Sequence, residues 1–359
     1  MWISELQIAN LRCIEAARLV LAPGLLIFTG ENGAGKTSVL EALAILGSGR
    51  SFRGGVRAPL VRLGNEALSV FAQVQSREKN QRLGFSRNVS SWQARVNGVP
   101  VSSLVSLVRE LPVLVLEPGS HSLIEGPSDS RRRLFDWLLF HVEPEFSLVA
   151  ARYQRALQQR NAALKLEGAD ARSLESWNQQ LALCGEQLSA FRESLWMRLA
   201  PKLISALSSL LPELGEVSVK FNRGWPNELT LAAAIQDRQR VDIARGFSSK
   251  GPHRADWGVS FARAADRQWL SRGQEKNAYL AYAMAVLQHY RKVSGESAIL
   301  CIDDLASELD ELHQQRCVSF AFECVDQFWV TGTQRLSCPT WPGARQAFHV
   351  EHGAISAIE

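Results

Sequence analysis

No stretch of this sequence reaches the roughly 18 uninterrupted apolar residues that a membrane-crossing helix needs. The opening segment, MWISELQIANLRCIE, mixes in charges early and has no continuous apolar core, so it is not expected to act as a signal peptide. The cysteines at 13, 184, 301, 317, 324 and 338 include no C-x-x-C pair, which argues against a zinc site. They form no disulfide-like framework either, which points to a reducing cytosol. Internal repeats and low-complexity tails are absent. A strong charge imbalance is also missing: the formal charge of +4 permits nucleic acid as a partner without demanding it.

The chain has 359 residues, too many for one simple core, which suggests two domains or one domain carrying an insert. With 46% hydrophobic and 21% charged residues it has the composition of a folded protein rather than a disordered one. Ile3 to Ile8 and Ala17 to Leu21 read as strands, and Leu25 to Thr29 as a short strand buried on both faces. Val39 to Leu46 reads as a helix ended by Gly47. Leu68 to Val74 alternates as a half-buried strand does, and Asn97-Gly98 marks a hairpin. From about 130 to 212 the pattern is helical, with expected interruptions at Pro144, Gly168, Gly185 and Pro201. Ala278 to Tyr290 reads as a helix, and Ala298 to Ile302 and Gln327 to Val330 as buried strands. The expected class is α/β, with a head built from 1–115 and 246–359 and split by a helical insert at 116–245.

Gly30-Glu31-Asn32-Gly33-Ala34-Gly35-Lys36-Thr37 fits the P-loop pattern G-x-x-x-x-G-K-[ST], and Ser38 continues it into the helix. The glycines let the backbone wrap closely around phosphates. Successive N–H groups and the helix N-terminus then face the anion. Lys36 is expected to reach the β- and γ-phosphates of ATP, and the Thr37 hydroxyl to hold Mg²⁺. Asp303 and Asp304 follow an apolar strand directly, where a P-loop fold holds its magnesium. Asp303 is the candidate metal ligand, and Asp304 the candidate base for the attacking water.

Leu270-Ser271-Arg272-Gly273-Gln274 is similar to the signature motif of ABC-type ATPases, usually L-S-G-G-Q. Ser271 is suited to cap the following helix. In that class the motif covers the γ-phosphate held by a partner subunit. Ser307-Glu308-Leu309-Asp310 resembles the D-loop, and Thr331-Gly332-Thr333 stands at the switch position where many such proteins carry His. Thr331 and Thr333 are both candidates there.

The whole chain resembles the RecF family of bacterial repair proteins. The residues that carry the resemblance are G-E-N-G-A-G-K-T-S at 30–38, G-R-S-F-R at 49–53, R-R at 131–132, Q-R-N-A-A-L at 159–164, G-P-H-R-A-D at 251–256, S-R-G-Q at 271–274 and I-D-D-L-A-S-E-L-D at 302–310. It implies an ABC/SMC-like P-loop ATPase head with a short helical arm. It also implies weak, DNA-stimulated ATP hydrolysis, an ATP-dependent homodimer and binding to single-stranded, double-stranded and gapped or junction DNA. Further implied are action with RecR and RecO to load RecA, roles in replication restart and SOS induction, and a nucleoid-associated place in the cytoplasm, away from membranes. Arg12 matches an arginine that approaches the nucleotide in SMC-like heads; otherwise it is a surface arginine. A magnesium-binding Gln is missing after the strand at 112–116, so either Glu117 replaces it or the contact is absent. Arg131, Arg132 and Arg133 form the densest basic run and are the named DNA candidates. Arg152, Arg155, Arg160 and Lys165, and Arg50, Arg53, Arg57 and Arg62, form two further clusters. A transport-type ABC subunit and an ATP-binding scaffold without turnover are the competing readings.

Overall fold

The computed structural model describes residues 1–53, 59–117, 126–166, 170–264, 270–305, 311–333, 341 and 343–358. By contact density the chain divides into two units, one of 1–120 with 290–359 and one of 121–289. Segment 246–289, expected in the head, thus belongs with the second unit.

The first unit holds two six-stranded sheets. In the antiparallel one, β1 (Trp2–Leu11), β2 (Ile14–Val20), β4 (Ala67–Gln75), β5 (Asn80–Asn88), β6 (Trp92–Val96) and β7 (Val99–Val101) lie in the order β2-β1-β4-β5-β6-β7. The hairpin marked by Asn97-Gly98 joins β6 to β7, with both residues at positive φ as its tight turn requires. The other sheet runs β14-β13-β3-β12-β11-β8, with β3 (Gly24–Thr29), β8 (Val113–Leu116), β11 (Ile299–Ile302), β12 (Gln327–Gly332), β13 (Arg345–Glu351) and β14 (Ala354–Ile358). All its pairings are parallel except β13 with β14. β3, β11 and β12 are buried along their length, as their unbroken apolar runs dictate.

Helix α1 (Lys36–Ser48) follows β3 and packs against strands of both sheets, so eleven of its residues are buried and it has no polar face. It stops at Gly49, left-handed at φ 71°, whose N–H caps the Ile45 carbonyl. A short helix, α2 (Leu104–Val108), starts on the Ser103 side chain.

The second unit is mainly helical: α3 (Ser128–Val142), α4 (Phe146–Ala163), α5 (Ala171–Leu210), α6 (Leu231–Arg245) and most of α7 (Arg272–Ser294), with the antiparallel pair β9 (Val217–Asn222) and β10 (Asp256–Phe261). Two expected interruptions do not occur. α5 runs 40 residues through both Gly185 and Pro201. Proline removes one helical hydrogen bond, but Leu199 and Leu203 on either side are buried and hold the helix together. Gly185 serves packing: a Cβ there would stand 2.3 Å from Leu231 of α6. Pro144 does separate α3 from α4, whereas Gly168 lies outside the described residues. The last described helix, α8 (Glu311–Cys324), belongs to the first unit. Among the described residues no helix is long and apolar enough to cross a membrane.

Candidate nucleotide-binding site

The loop between β3 and α1 is shaped by its glycines. Gly35 adopts φ 115° at the start of the helix, and a Cβ there would press within 2.8 Å of the Cys13 sulfur. A Cβ on Gly30 would lie 2.1 Å from the Val350 carbonyl oxygen, so only glycine lets β13 come this close. The turn between β13 and β14 closes the other side, where the Gly353 N–H donates to the Ala34 carbonyl at 2.8 Å. Lys36 is buried, and its ammonium donates to the carbonyls of Gly30 and Glu31, both at 2.8 Å. An ammonium has three donors, which leaves one for a phosphate.

Parallel register then sets out the polar groups. Ile302 of β11 pairs with Leu116 of β8 and Val330 of β12. The next residue of each strand is therefore Glu117, Asp303 or Thr331, side by side at the carboxyl edge of the sheet, where α/β folds place their ligands. The Asp303 N–H donates to the Leu116 carbonyl at 2.9 Å and fixes the turn. The Asp303 carboxylate, itself buried, accepts the Thr37 hydroxyl at 3.0 Å and the Thr331 hydroxyl at 2.6 Å. Thr331 in turn accepts the Asp304 N–H at 2.8 Å. Asp304 stands at φ 53°, a left-handed conformation that a non-glycine residue holds at some cost and that recurs at functional turns.

This bears on the expectations for the switch and for Glu117. The Thr331 hydroxyl is committed to the acidic turn, whereas Thr333 lines a cavity of about 590 Å³ with Thr29, Gly30, Glu31, Asn32 and His349. Burial pushes the Glu117 carboxyl above the usual carboxylate range; the neighbouring Asp303 charge pushes it further, and Arg53 opposes. Two acids and a hydroxyl thus converge beside the phosphate loop. That donor set suits a hard divalent cation with oxygen ligands. His349 was not foreseen: β13 carries no motif, and only its pairing with β3, His349 opposite Thr29, brings it to the loop.

Arg12 packs against α1. Its guanidinium grips the buried Glu41 carboxylate of α1 in two bonds of 2.9 and 2.8 Å, and a third reaches the Pro59 carbonyl. Ser51 donates to the same carboxylate. Arg12 thus braces the helix, because a buried Glu41 needs a charge partner.

The basic run at 131–133 is corrected. Arg131 is buried, grips Asp256 at 2.6 and 2.9 Å and donates to the Gly126 carbonyl. Arg132 donates to the Ala255 carbonyl at 2.6 Å and to Ser128 at 2.7 Å. Only Arg133 is exposed, and Asp129 holds it one turn back. Helical spacing sends consecutive residues to different faces, so a run of three cannot form one patch. Arg160 likewise is buried against Asp242. Arg57 lies outside the described residues, as does the segment 307–310 likened to a D-loop.

At the signature segment, Ser271 caps α7. The Gln274 N–H donates to the Ser271 oxygen at 3.3 Å, and the Gln274 side chain accepts the Ser271 N–H at 3.0 Å, a reciprocal capping box. The Ser271 hydroxyl keeps its own proton to give, and a Cβ on Gly273 would meet nothing within 4 Å, so this corner is open.

Residues 2–336 match the family described as RecF/RecN/SMC N terminal domain. The chain is 41% identical over 364 residues to the DNA replication and repair protein RecF of Stenotrophomonas maltophilia strain R551-3, covering 100% of both. It is 40% identical to that of Xanthomonas euvesicatoria pv. vesicatoria strain 85-10, covering 99% of this chain and 98% of the relative. It is 33% identical to that of Shewanella baltica strain OS223, over 100% of both. Among solved structures, the recombination mediator protein RecF with ATP, of the RecFOR pathway, superposes with a TM-score of 0.88 at 21% identity, covering 100% of this chain and 98% of that one. An Smc head bound to the C-terminal winged-helix domain of ScpA superposes at 0.60 and 12% identity, with the same coverage. At these identities the two structures speak for the fold, an SMC-like head.

Proposed function

The chain belongs to the RecF/RecN/SMC family and, within it, to the RecF DNA replication and repair proteins, and from that premise we propose that it is an ATP-driven DNA clamp of recombinational repair. The observation that carries this reading is the row Glu117–Asp303–Thr331 set against Thr37, acids and hydroxyls gathered where a phosphate-bound cation would sit.

The backbone N–H groups of 30–38 would cradle the phosphates of ATP, with Lys36 turning its remaining donor to the β- and γ-phosphates. Thr37 and Asp303 would hold Mg²⁺, with Glu117 in place of the missing Gln. Bound there, the metal would neutralise the negative charge that develops on the phosphates. Asp304, held by Thr331 in its left-handed turn, would orient the attacking water and take its proton. The open corner at Ser271 and Gly273, followed by Gln274, would close over the γ-phosphate of a second copy. ATP then joins two heads, and hydrolysis releases them.

In the same reading the dimer grips single-stranded, double-stranded and gapped DNA, and DNA stimulates a slow ATPase. It works with RecR and RecO to load RecA, and serves replication restart and SOS induction.

The test is DNA affinity measured with ATP, with ADP and with the Lys36→Met variant. Tight binding with ATP alone is expected. Equal binding in all three would overturn the clamp. Single-turnover hydrolysis by Asp304→Asn separates turnover from scaffolding, since a variant as fast as the parent would remove Asp304 from the base role.

A further inference from the structure

Two of the sequence segments that carry the family resemblance, Gln159 to Leu164 and Gly251 to Asp256, lie away from the P-loop in sequence. Both belong to the second unit, where the structure brings them together. Arg160 is fully buried; it donates to Asp242 at 2.8 Å, to Ser248 at 2.7 Å and to Asn178 at 2.7 Å. Asn161 accepts the Ser248 N–H at 2.8 Å, and Asp242 accepts the Ser249 N–H at 3.0 Å. Arg192 donates to the Pro252 carbonyl at 2.7 Å. His253 is pinned between the Tyr153 hydroxyl at 2.6 Å and the Ser248 carbonyl at 2.9 Å. Segment 247–255 is thus a loop fixed by two buried cations and their partners, which is more support than a plain connection between α6 and β10 needs.

What the loop presents outward explains the support. It forms one wall of a cavity of about 1140 Å³ whose lining includes Lys220, Arg245, Phe247, Ser249, Lys250 and Arg254. Among the described residues, Lys220, Arg245, Lys250 and Arg254 have no acidic partner, unlike the buried arginines beneath them. Of the acids in the wall, Asp256 is already held by Arg131, which leaves Glu228 against four cations. Phe247 is 38% exposed directly after the cap of α6, and the Arg254 guanidinium lies 5.4 Å over its ring. The buried Ser249 hydroxyl oxygen has no hydrogen-bond partner.

We infer that this cleft is a binding site for a single strand of DNA, its cations taking consecutive phosphates and Phe247 stacking on a base. The inference rests on the DNA-binding reading above and gives it a place on this chain. Cations alone would suit any polyanion. An exposed ring at the mouth of a cationic cleft suits one whose flat faces are open, and a duplex keeps its bases stacked inside. The preordered loop lowers the ordering cost of binding.

The test is fluorescence anisotropy of the full-length protein with labelled oligothymidylate and, separately, with a blunt duplex, over a range of salt. For the triple variant Arg245→Glu, Lys250→Glu, Arg254→Glu, oligothymidylate binding is expected to weaken by about a hundredfold and the slope of log affinity against log salt to fall by roughly 2. Phe247→Ala is expected to weaken it by about tenfold with the duplex unaffected, and Phe247→Tyr to restore it. ATP binding by each variant verifies folding. If wild type and variants bind oligothymidylate alike, the site is wrong while the DNA reading stands. If single strand and duplex weaken equally, strand selectivity fails and the inference with it. A variant set that loses only polyglutamate binding assigns the cleft to an acidic protein partner and overturns the inference. If the wild type binds no DNA at all, the proposed function itself fails.

Discussion

At the sheet edge beside the P-loop, burial and the neighbouring Asp303 charge push the Glu117 carboxyl above the usual carboxylate range, and among the described residues Asp303 has no cationic partner. In the unit of 121–289 the buried cations are matched: Arg131 with Asp256, Arg160 with Asp242, Arg192 with Asp136. Crowded like charge is unfavourable unless something compensates it, so it marks a place that awaits a ligand. Matched charge costs desolvation and leaves nothing to offer, so it marks scaffold. The difference separates residues that act from residues that hold, and it can be broken from either side.

The largest effect is expected at the loop. Lys36→Ala should slow single-turnover ATP hydrolysis by about a thousandfold, the cost of removing a donor aimed at developing charge, while leaving the thermal transition in place. A variant that unfolds instead would make Lys36 scaffold.

Next come the matched pairs. Arg160→Met leaves the buried Asp242 without its cation, which should lower stability to urea by about 3–5 kcal/mol. Adding Asp242→Leu should restore most of it. If the double variant were as unstable as the single one, the pair would be more than an ion pair with its own compensation.

A third expectation concerns protons. Burial, together with Arg254 and Arg132, drives His253 down to about 4 from 6.5. Its ring accepts from Tyr153 and donates to the Ser248 carbonyl, which is the neutral form. The unfolded chain therefore binds the extra proton between those values. Stability should be full above pH 6.5 and fall by about 3 kcal/mol as pH drops to 4. His253→Gln should flatten that slope in urea titrations at several pH values.

The smallest effect is at Glu117. A carboxyl whose pKa is raised by burial and by Asp303 gives up its proton less readily than an ordinary one, and it must be ionised to take a cation. Mg²⁺ affinity in the presence of ATP should therefore climb several-fold as pH rises above the usual carboxylate range. Glu117→Gln should bind Mg²⁺ more weakly and without that climb, as calorimetry would register. An unchanged climb in Glu117→Gln would place the titrating group elsewhere.

Much of the site could be read before folding because it depends on local pattern. The strand at 25–29, the glycines and the helix after them are contiguous, and Asp303 follows directly from an apolar run. What stayed hidden depends on register between distant segments. The resemblance offered Glu117 and Thr331, but nothing in the sequence around His349 says that β13 brings it beside the phosphate loop. The arginines misled for the same reason: charge is visible in sequence, but partners such as Asp256 and Asp242 lie 125 and 82 positions away. Pro201 and Gly185 show tertiary packing overriding local preference within one long helix.

The central claim is that one ATP is shared between the loop at Lys36 and the corner at Ser271 of a second copy. Light scattering coupled to gel filtration tests it most directly, with and without a nonhydrolysable ATP analogue and Mg²⁺. The account predicts a monomer that becomes a dimer only with nucleotide, and a Ser271→Arg variant that binds the analogue yet stays monomeric. A Ser271→Arg protein that dimerises like the parent, or a parent whose mass ignores the nucleotide, would contradict it.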